Sequence, residues 1–529
     1  MGLKRDSQRP RLLIVKFAFS EDIISALKLR PELQKSAIGV SKDPTKRQRD
    51  KISEHTDSGL IAYYKNGRLV TRRKEHSPKE PKQAWTGHLR KQIFRGRQPF
   101  YVISDLEILK EVLVKSFNVF RNRALPVVIP YPFNLGLAFL EDASWKRVRS
   151  IISPTFSGAK LRRMCDPIND CARTLARNFS KVVGKDEGVP MKTFFGAYTM
   201  DVISRTAFGI KVDSQNDFNH PFVFNAKQIF HPTKLRTFFA FLGVLCPAAS
   251  PLMMKLGMGF FPMSVINFFR NNISEMIKQR QNDTKEERQK RNDFLQHLIE
   301  AEWQIKQEEN GNSTNGTTNN HSISRLDTDE IIAQGILFFI AGYDTTASTL
   351  QFTSYCLATH PEIQEKAYNE IKEMLGNEEP DYDNIGKLKY LDNIITETLR
   401  LYPAAVIINR KVSETIKVRG VTISEGQTVI VPALAMHRDP QLYKDPDTFK
   451  PERQDKETNP QSFLAFGYGP RACIGMRLAL VEAKIALVHV LRTIKFERAP
   501  HTPEVLTFRQ DSFLLDPKEE IILEVSPRC

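Results

Sequence analysis

Phe466-Gly467-Tyr468-Gly469-Pro470-Arg471-Ala472-Cys473-Ile474-Gly475 places one cysteine in a glycine-punctuated loop that runs straight into an apolar helix. The helix beginning near Met476 aims the positive end of its dipole and its unpaired N–H groups at the sulfur, which lowers a thiol pKa. Arg471, two residues before the cysteine, adds positive charge. Gly469 and Gly475 let the backbone approach a flat group closely and donate N–H bonds to the sulfur. The loop reads as one built to hold a thiolate; the plain alternative is a buried cysteine in a turn.

Four other stretches agree with the first reading. Leu391 to Leu401 reads as a helix with Glu397 and Arg400 at i and i+3, stopped by Pro403. On its own such a pair is a solvated surface contact worth little. Phe449-Lys450-Pro451-Glu452-Arg453 follows some way downstream. Further upstream, Asp327-Thr328-Asp329-Glu330 has the form of a capping box, and the apolar pattern after it continues to His360-Pro361. About 32 residues at 1.5 Å each span roughly 48 Å, enough to cross a domain. The middle of that helix, Ala341-Gly342-Tyr343-Asp344-Thr345-Thr346, is polar for so buried an element. A glycine there removes bulk, and a threonine can bond the carbonyl one turn earlier, which opens a groove. Trp145 and Arg149 sit at i and i+4 on a further helix.

Phe-x-x-Gly-x-Arg-x-Cys-x-Gly resembles the haem-binding loop of the cytochrome P-450 family, matching at every fixed position from Phe466 to Gly475. The resemblance implies a mainly α fold with small β-sheets and haem b ligated through Cys473, a ligand that favours O–O cleavage. It places Glu397, Arg400 and Arg453 in a buried triad that supports the haem loop. The family's Phe after that arginine is Gln454 here, a departure expected to weaken local packing. By the same likeness Thr345 hydrogen-bonds dioxygen and Asp344 relays protons. Arg471, Arg149, Trp145 and Arg410 are the expected partners of the haem propionates, Arg410 with an ordinary surface arginine as its near-equal alternative. His437 has no ligand partner at zinc spacing and reads as structural.

The resemblance covers residues 86 to 529 and is strongest to the animal microsomal class that oxidises steroids and drugs, which also contains thromboxane synthase. It implies a monooxygenase acting on a small lipophilic substrate with dioxygen and electrons from an NADPH-cytochrome reductase. Two alternatives remain: an isomerase like thromboxane synthase, needing neither reductase nor dioxygen, and a non-catalytic haem or nucleic-acid-binding product.

Of the chain's net charge of +16, +12 lies in residues 1–91, which hold 22 Lys and Arg against 10 Asp and Glu. No apolar stretch long enough for an anchor precedes residue 90, and Leu12 to Val15 is too short for a secretory signal. Residues 1–85 are therefore set apart as an atypical basic segment. They read either as an arm for anionic lipid or nucleic acid, or as a fused segment in place of the anchor, the second being preferred. Attachment to the cytosolic face of the endoplasmic reticulum then falls to other surfaces, with Thr237 to Phe269 as the apolar candidate. Six cysteines without paired spacing imply a reducing compartment. Asn310 to Ser324 reads as a surface loop whose glycosylation-like triplets go unused.

Overall fold

Asp327 caps the longest helix as the sequence suggests: its carboxylate accepts from the Glu330 N–H, and the Glu330 side chain accepts from the Asp327 N–H. That helix, Thr328–Thr359, runs 32 residues and gives way at His360 to a second helix, Pro361–Leu375, which has proline in its first turn. The computed structural model describes residues 60–65, 68–73, 92–95 and 98–528, apart from 126, 185–187, 246–258, 292, 301–325, 457–458, 510–511 and 513. The loop Asn310 to Ser324, Cys246, Cys529 and residues 1–59 of the basic segment lie outside the described residues.

The central helix is apolar on nearly every side, as befits an element surrounded by others. Met191–Phe208 packs along it at close range because Gly342 lacks a side chain. A Cβ at Gly342 would lie 2.9 Å from Ile203 Cδ1. The bulk removed at this glycine is thus taken up on one side by Ile203. Phe208 and Phe339 stack across the same seam with centroids 3.9 Å apart. Gly158–Ser180, Lys389–Leu401 and Met476–Thr493 complete the helical body, in one continuous apolar core.

The sheets are small. Gln92–Arg95, Gln98–Val102, Thr428–Val431 and Ile408–Lys411 form one, parallel between Gln98–Val102 and Thr428–Val431 and antiparallel elsewhere. It covers a second core that includes Ile103, Leu109, Val412 and Val431. Ile494–Arg498, Ile522–Pro527 and Val189–Pro190 make another. Among the described residues Leu60–Lys65 and Arg68–Arg73 pair only with each other, on either side of Asn66-Gly67, a strong hairpin signal in the sequence. The architecture is mainly α with small β-sheets, as expected. Among the described residues no helix is long and apolar enough to cross a membrane, and Cys165, Cys171, Cys356 and Cys473 are free thiols.

Candidate active site

The cysteine loop is held by its own backbone. Cys473 N–H donates to Phe466 O at 2.8 Å, Ala472 N–H to Gly469 O at 2.9 Å, and Gly467 N–H to Leu464 O at 2.9 Å. Gly475 is the N-cap of helix Met476–Thr493, so the thiol sits at the first turn, where the N–H groups of Gly475 and Met476 stabilise its negative form. Burial is nevertheless the larger influence, and the protein raises the Cys473 thiol above its ordinary value. The lowering expected from the helix terminus is present, through the N–H groups of Gly475 and Met476, and burial outweighs it. The positive charges that act most on the sulfur are Arg123 and Arg149.

Cys473 lies deep in the protein yet keeps an exposed surface, as does Ala341 in the middle of the otherwise buried central helix. A deep residue with free surface borders a hollow. Thr345, one turn after Ala341, points its hydroxyl back to Ala341 O at 2.7 Å, the back-bond expected from its spacing.

Four arginines gather at this end of the molecule, opposed only weakly by the exposed Glu141, whose charge acts on Arg471 from the edge of the group. Arg149 comes from helix Asp142–Ile152, Arg410 from strand Ile408–Lys411, Arg471 from the cysteine loop and Arg123 from the segment before the first long helix. Burial pushes Arg410 down to about 9, and the charge of Arg123 pushes the same way. Arg471 is also lowered to about 9, by burial and then by Arg123 and Arg410. Arg123 and Arg149 are lowered by burial as well. Arg410 donates to Asn409 O at 2.7 Å, but its buried Nε has no partner. Arg149 makes no side-chain hydrogen bond or ion pair among the described residues. Arg471 donates from Nε to Arg121 O at 3.0 Å and from Nη2 to Leu140 O at 2.6 Å, and its guanidinium stacks 4.4 Å from the Trp145 ring centre. Two buried like charges without an acid between them are costly. The cluster is built for an anionic partner.

Arg123 escaped the sequence reading. It stands in Arg121-Asn122-Arg123, ahead of a proline-rich loop, and carries no spacing signal of its own.

The two glycines differ. Gly469 has φ +77°, and a Cβ on it would collide with the Leu113 carbonyl oxygen and lie 3.1 Å from the Leu113 carbonyl carbon. It is needed for packing against protein backbone. Gly475 has φ −86° and would place a Cβ no nearer than 3.9 Å to any protein atom considered, that atom being Phe156 Cε1.

Glu397, Arg400 and Arg453 come together, fully buried. Arg400 pairs with Glu397 through two bonds of 2.9 and 2.8 Å, and Arg453 Nε reaches Glu397 at 3.2 Å. The remaining guanidinium donors go to the carbonyls of His437, Pro446, Thr448, Lys444 and Asp445. Gln454 Nε2 donates to Glu397 at 3.0 Å, so the departure from the family pattern adds a donor to the triad and does not loosen it. His437 connects this cluster to the loop. It bonds Arg400 O at 3.0 Å through Nδ1, and its Nε2 accepts from the Leu464 N–H at 2.8 Å. Burial pushes its pKa down to about 3, which fits a neutral structural ring. Phe466 packs half-buried against the main core beside it.

Asp344 is buried and paired with Lys192, whose Nζ lies 2.8 Å from its carboxylate, 3.2 Å from its carbonyl and 2.6 Å from Ser348 Oγ. Lys192 is 152 positions away in sequence and was not anticipated.

A haem fits these residues. Two propionates would supply the acids that the arginine cluster lacks, and a thiol at a helix N-terminus beside a hollow suits an axial ligand. Comparison with known proteins agrees. The family model described as Cytochrome P450 matches residues 90–523. Cytochrome P450 3A29 of Sus scrofa is 38% identical over 442 residues, covering 82% of this chain and 84% of the relative. Cytochrome P450 3A41 of Mus musculus is 39% identical and cytochrome P450 3A5 of Homo sapiens 36%, with the same coverage. The chain therefore belongs to the cytochrome P450 family, as a haem-thiolate monooxygenase whose cofactor is haem b.

Proposed function

We propose that this oxygenase acts on lipophilic organic substrates, steroids, fatty acids or xenobiotics, with electrons from an NADPH-cytochrome reductase. Cys473 would hold the haem iron, and Arg123, Arg149, Arg410 and Arg471 would meet the propionates, with Trp145 backing Arg471. The cluster of four buried or half-buried arginines beside a deep cysteine, with no carboxylate hydrogen-bonded or ion-paired to them among the described residues, carries this reading. Bound haem supplies the activation of dioxygen, which a thiolate ligand favours by donating electron density. The protein's share is positioning and proton supply. Thr345 presents a hydroxyl beside Ala341, and Asp344 stands next in the chain as the acid–base partner. Glu397, Arg400 and Arg453 hold the loop in register through His437 and Leu464.

Residues 1–85 are proposed to stand apart from the haem domain 86–529; the strand Gln92–Arg95 already belongs to the domain's own sheet, whereas Leu60–Lys65 and Arg68–Arg73 pair, among the described residues, only with each other. Peripheral attachment to the endoplasmic reticulum, cytosolic side, is assigned to Thr237 to Phe269, of which residues 246–258 lie outside the described residues; Phe238 and Leu242 of helix Lys234–Leu245 are exposed there.

The test is turnover of a steroid probe with and without reductase. Hydroxylated product that requires reductase, NADPH and dioxygen supports the assignment. Rearrangement of an endoperoxide with no reductase or dioxygen, and no hydroxylation, would replace it with the isomerase.

A further inference from the structure

The central helix reaches the arginine cluster through one amide side chain. Gln334 is fully buried, nearer the start of that helix than Ala341. Its Oε1 accepts from the Leu137 N–H at 2.7 Å, and its Nε2 donates to Leu135 O at 2.9 Å and to Glu330 O at 3.0 Å. An amide that both gives to and takes from neighbouring backbone groups holds a segment much as the edge of a sheet would. Glu330, one turn earlier, takes Arg147 from the helix that carries Trp145 and Arg149.

The segment held in this way, Leu135 to Leu140, is the one the arginines bind. Arg471 Nη2 donates to Leu140 O at 2.6 Å and Nη1 to Leu137 O at 3.4 Å, and Arg123 Nη1 donates to Ala138 O at 3.5 Å. Leu137 thus gives its N–H to Gln334 and receives Arg471 on its carbonyl. The segment's own backbone bonds are local. Phe139 and Leu140 N–H both turn back to Gly136 O, which fixes its shape and not its place. A guanidinium is a rigid fork that goes where its acceptors stand. Two of the three carbonyls that hold Arg471 lie on this segment, so its position follows the segment's. We propose that Gln334 is a positioning residue for the haem arginines: it fixes the place of residues 135–140, and these set the guanidinium of Arg471 and, through a longer bond, that of Arg123.

This rests on those arginines meeting the propionates, and the experiment separates the two ideas. Haem transfer from the loaded full chain to excess apomyoglobin is followed for wild type, Gln334→Met, Arg471→Gln and the double variant. Gln334→Met, of similar length but without the amide, is expected to speed haem loss by about two- to tenfold, the factor equivalent to one net hydrogen bond. In the Arg471→Gln background it is expected to add nothing, because the two act in series. A wild-type rate in Arg471→Gln overturns the propionate reading and the proposal with it. Faster loss in Arg471→Gln with a wild-type rate in Gln334→Met overturns the proposal alone. So does equal acceleration by Gln334→Met in both backgrounds, the mark of a purely structural loss. Should Gln334→Met fail to fold, the coupling is read from its other end, since it is reciprocal. Arg471→Gln is then expected to hasten hydrogen exchange in the peptide that carries the Leu137 amide, and unchanged protection there overturns the proposal.

Discussion

Replacing each of the two loop glycines by alanine separates packing from cofactor approach. At Gly469 the backbone is left-handed, which costs a residue with a Cβ about 1–2 kcal/mol. The added methyl also runs into the Leu113 carbonyl, with Val114 Cγ2 at 3.4 Å, and such overpacking costs about 1–3 kcal/mol. Together Gly469→Ala should lose about 2–5 kcal/mol. A cooperative unit of some 440 residues has an unfolding entropy near 0.9 kcal/mol/K, so the melting temperature should fall by about 2–5 °C. At Gly475 neither penalty applies, because φ is negative and the nearest of the surrounding protein atoms is 3.9 Å from the added Cβ. Gly475→Ala should therefore stay within about 0.5 kcal/mol in haem-depleted protein. Thermal melts of both variants, haem-loaded and haem-depleted, give the answer. Equal losses for the two in haem-depleted protein, or no loss for Gly469→Ala, would refute the reasoning. A loss for Gly475→Ala confined to the loaded form would assign that glycine to the cofactor face.

Glu397→Gln leaves two buried guanidiniums short of their counter-charge and should cost about 3–5 kcal/mol, read as loss of folded, haem-loaded protein on expression. Restoring the family residue with Gln454→Phe should destabilise by about 1.5–3 kcal/mol, the worth of a hydrogen bond to a charged group, measurable by urea midpoint. Glu482 is buried with Oε1 unpartnered and its pKa is pushed well above 4.5 by burial. Its folded form keeps a proton that the unfolded chain releases above pH 4.5, so it costs stability increasingly as pH rises from there towards the folded value. Glu482→Gln should accordingly raise the melting temperature at pH 8 and leave it unchanged at pH 4. Arg123→Gln should speed haem loss to a scavenger while stabilising the haem-depleted fold, since it removes one like charge from the cluster; Arg121→Gln, whose guanidinium already serves Asn118 and Asp142, should not speed the loss.

What could be read from sequence was local or carried by a fixed spacing. The Asp327 and Glu330 box, the stop at His360-Pro361 and the Thr345 to Ala341 back-bond each join residues within one turn, where helix geometry alone decides the contact. The triad was legible through a resemblance, since nothing in spacing brings Arg453 to a carboxylate 56 positions earlier. Arg123, Lys192 and Gln334 were not legible, because their partners are chosen by how helices and loops pack. The same holds for Gly469 and Gly475, identical in a motif and different in their neighbours. Gln454 misled because its amide was weighed as a missing ring and not as a donor.

The most direct test is the carbon monoxide difference spectrum of the reduced protein, taken on the full chain, on the chain without residues 1–85, and on Cys473→Ser. The strongly red-shifted Soret band of a thiolate-ligated haem is expected in the first two and absent from the third. Haem bound in the full chain without that band, or the band persisting in Cys473→Ser, would contradict the assignment of Cys473 as the ligand on which the whole account stands.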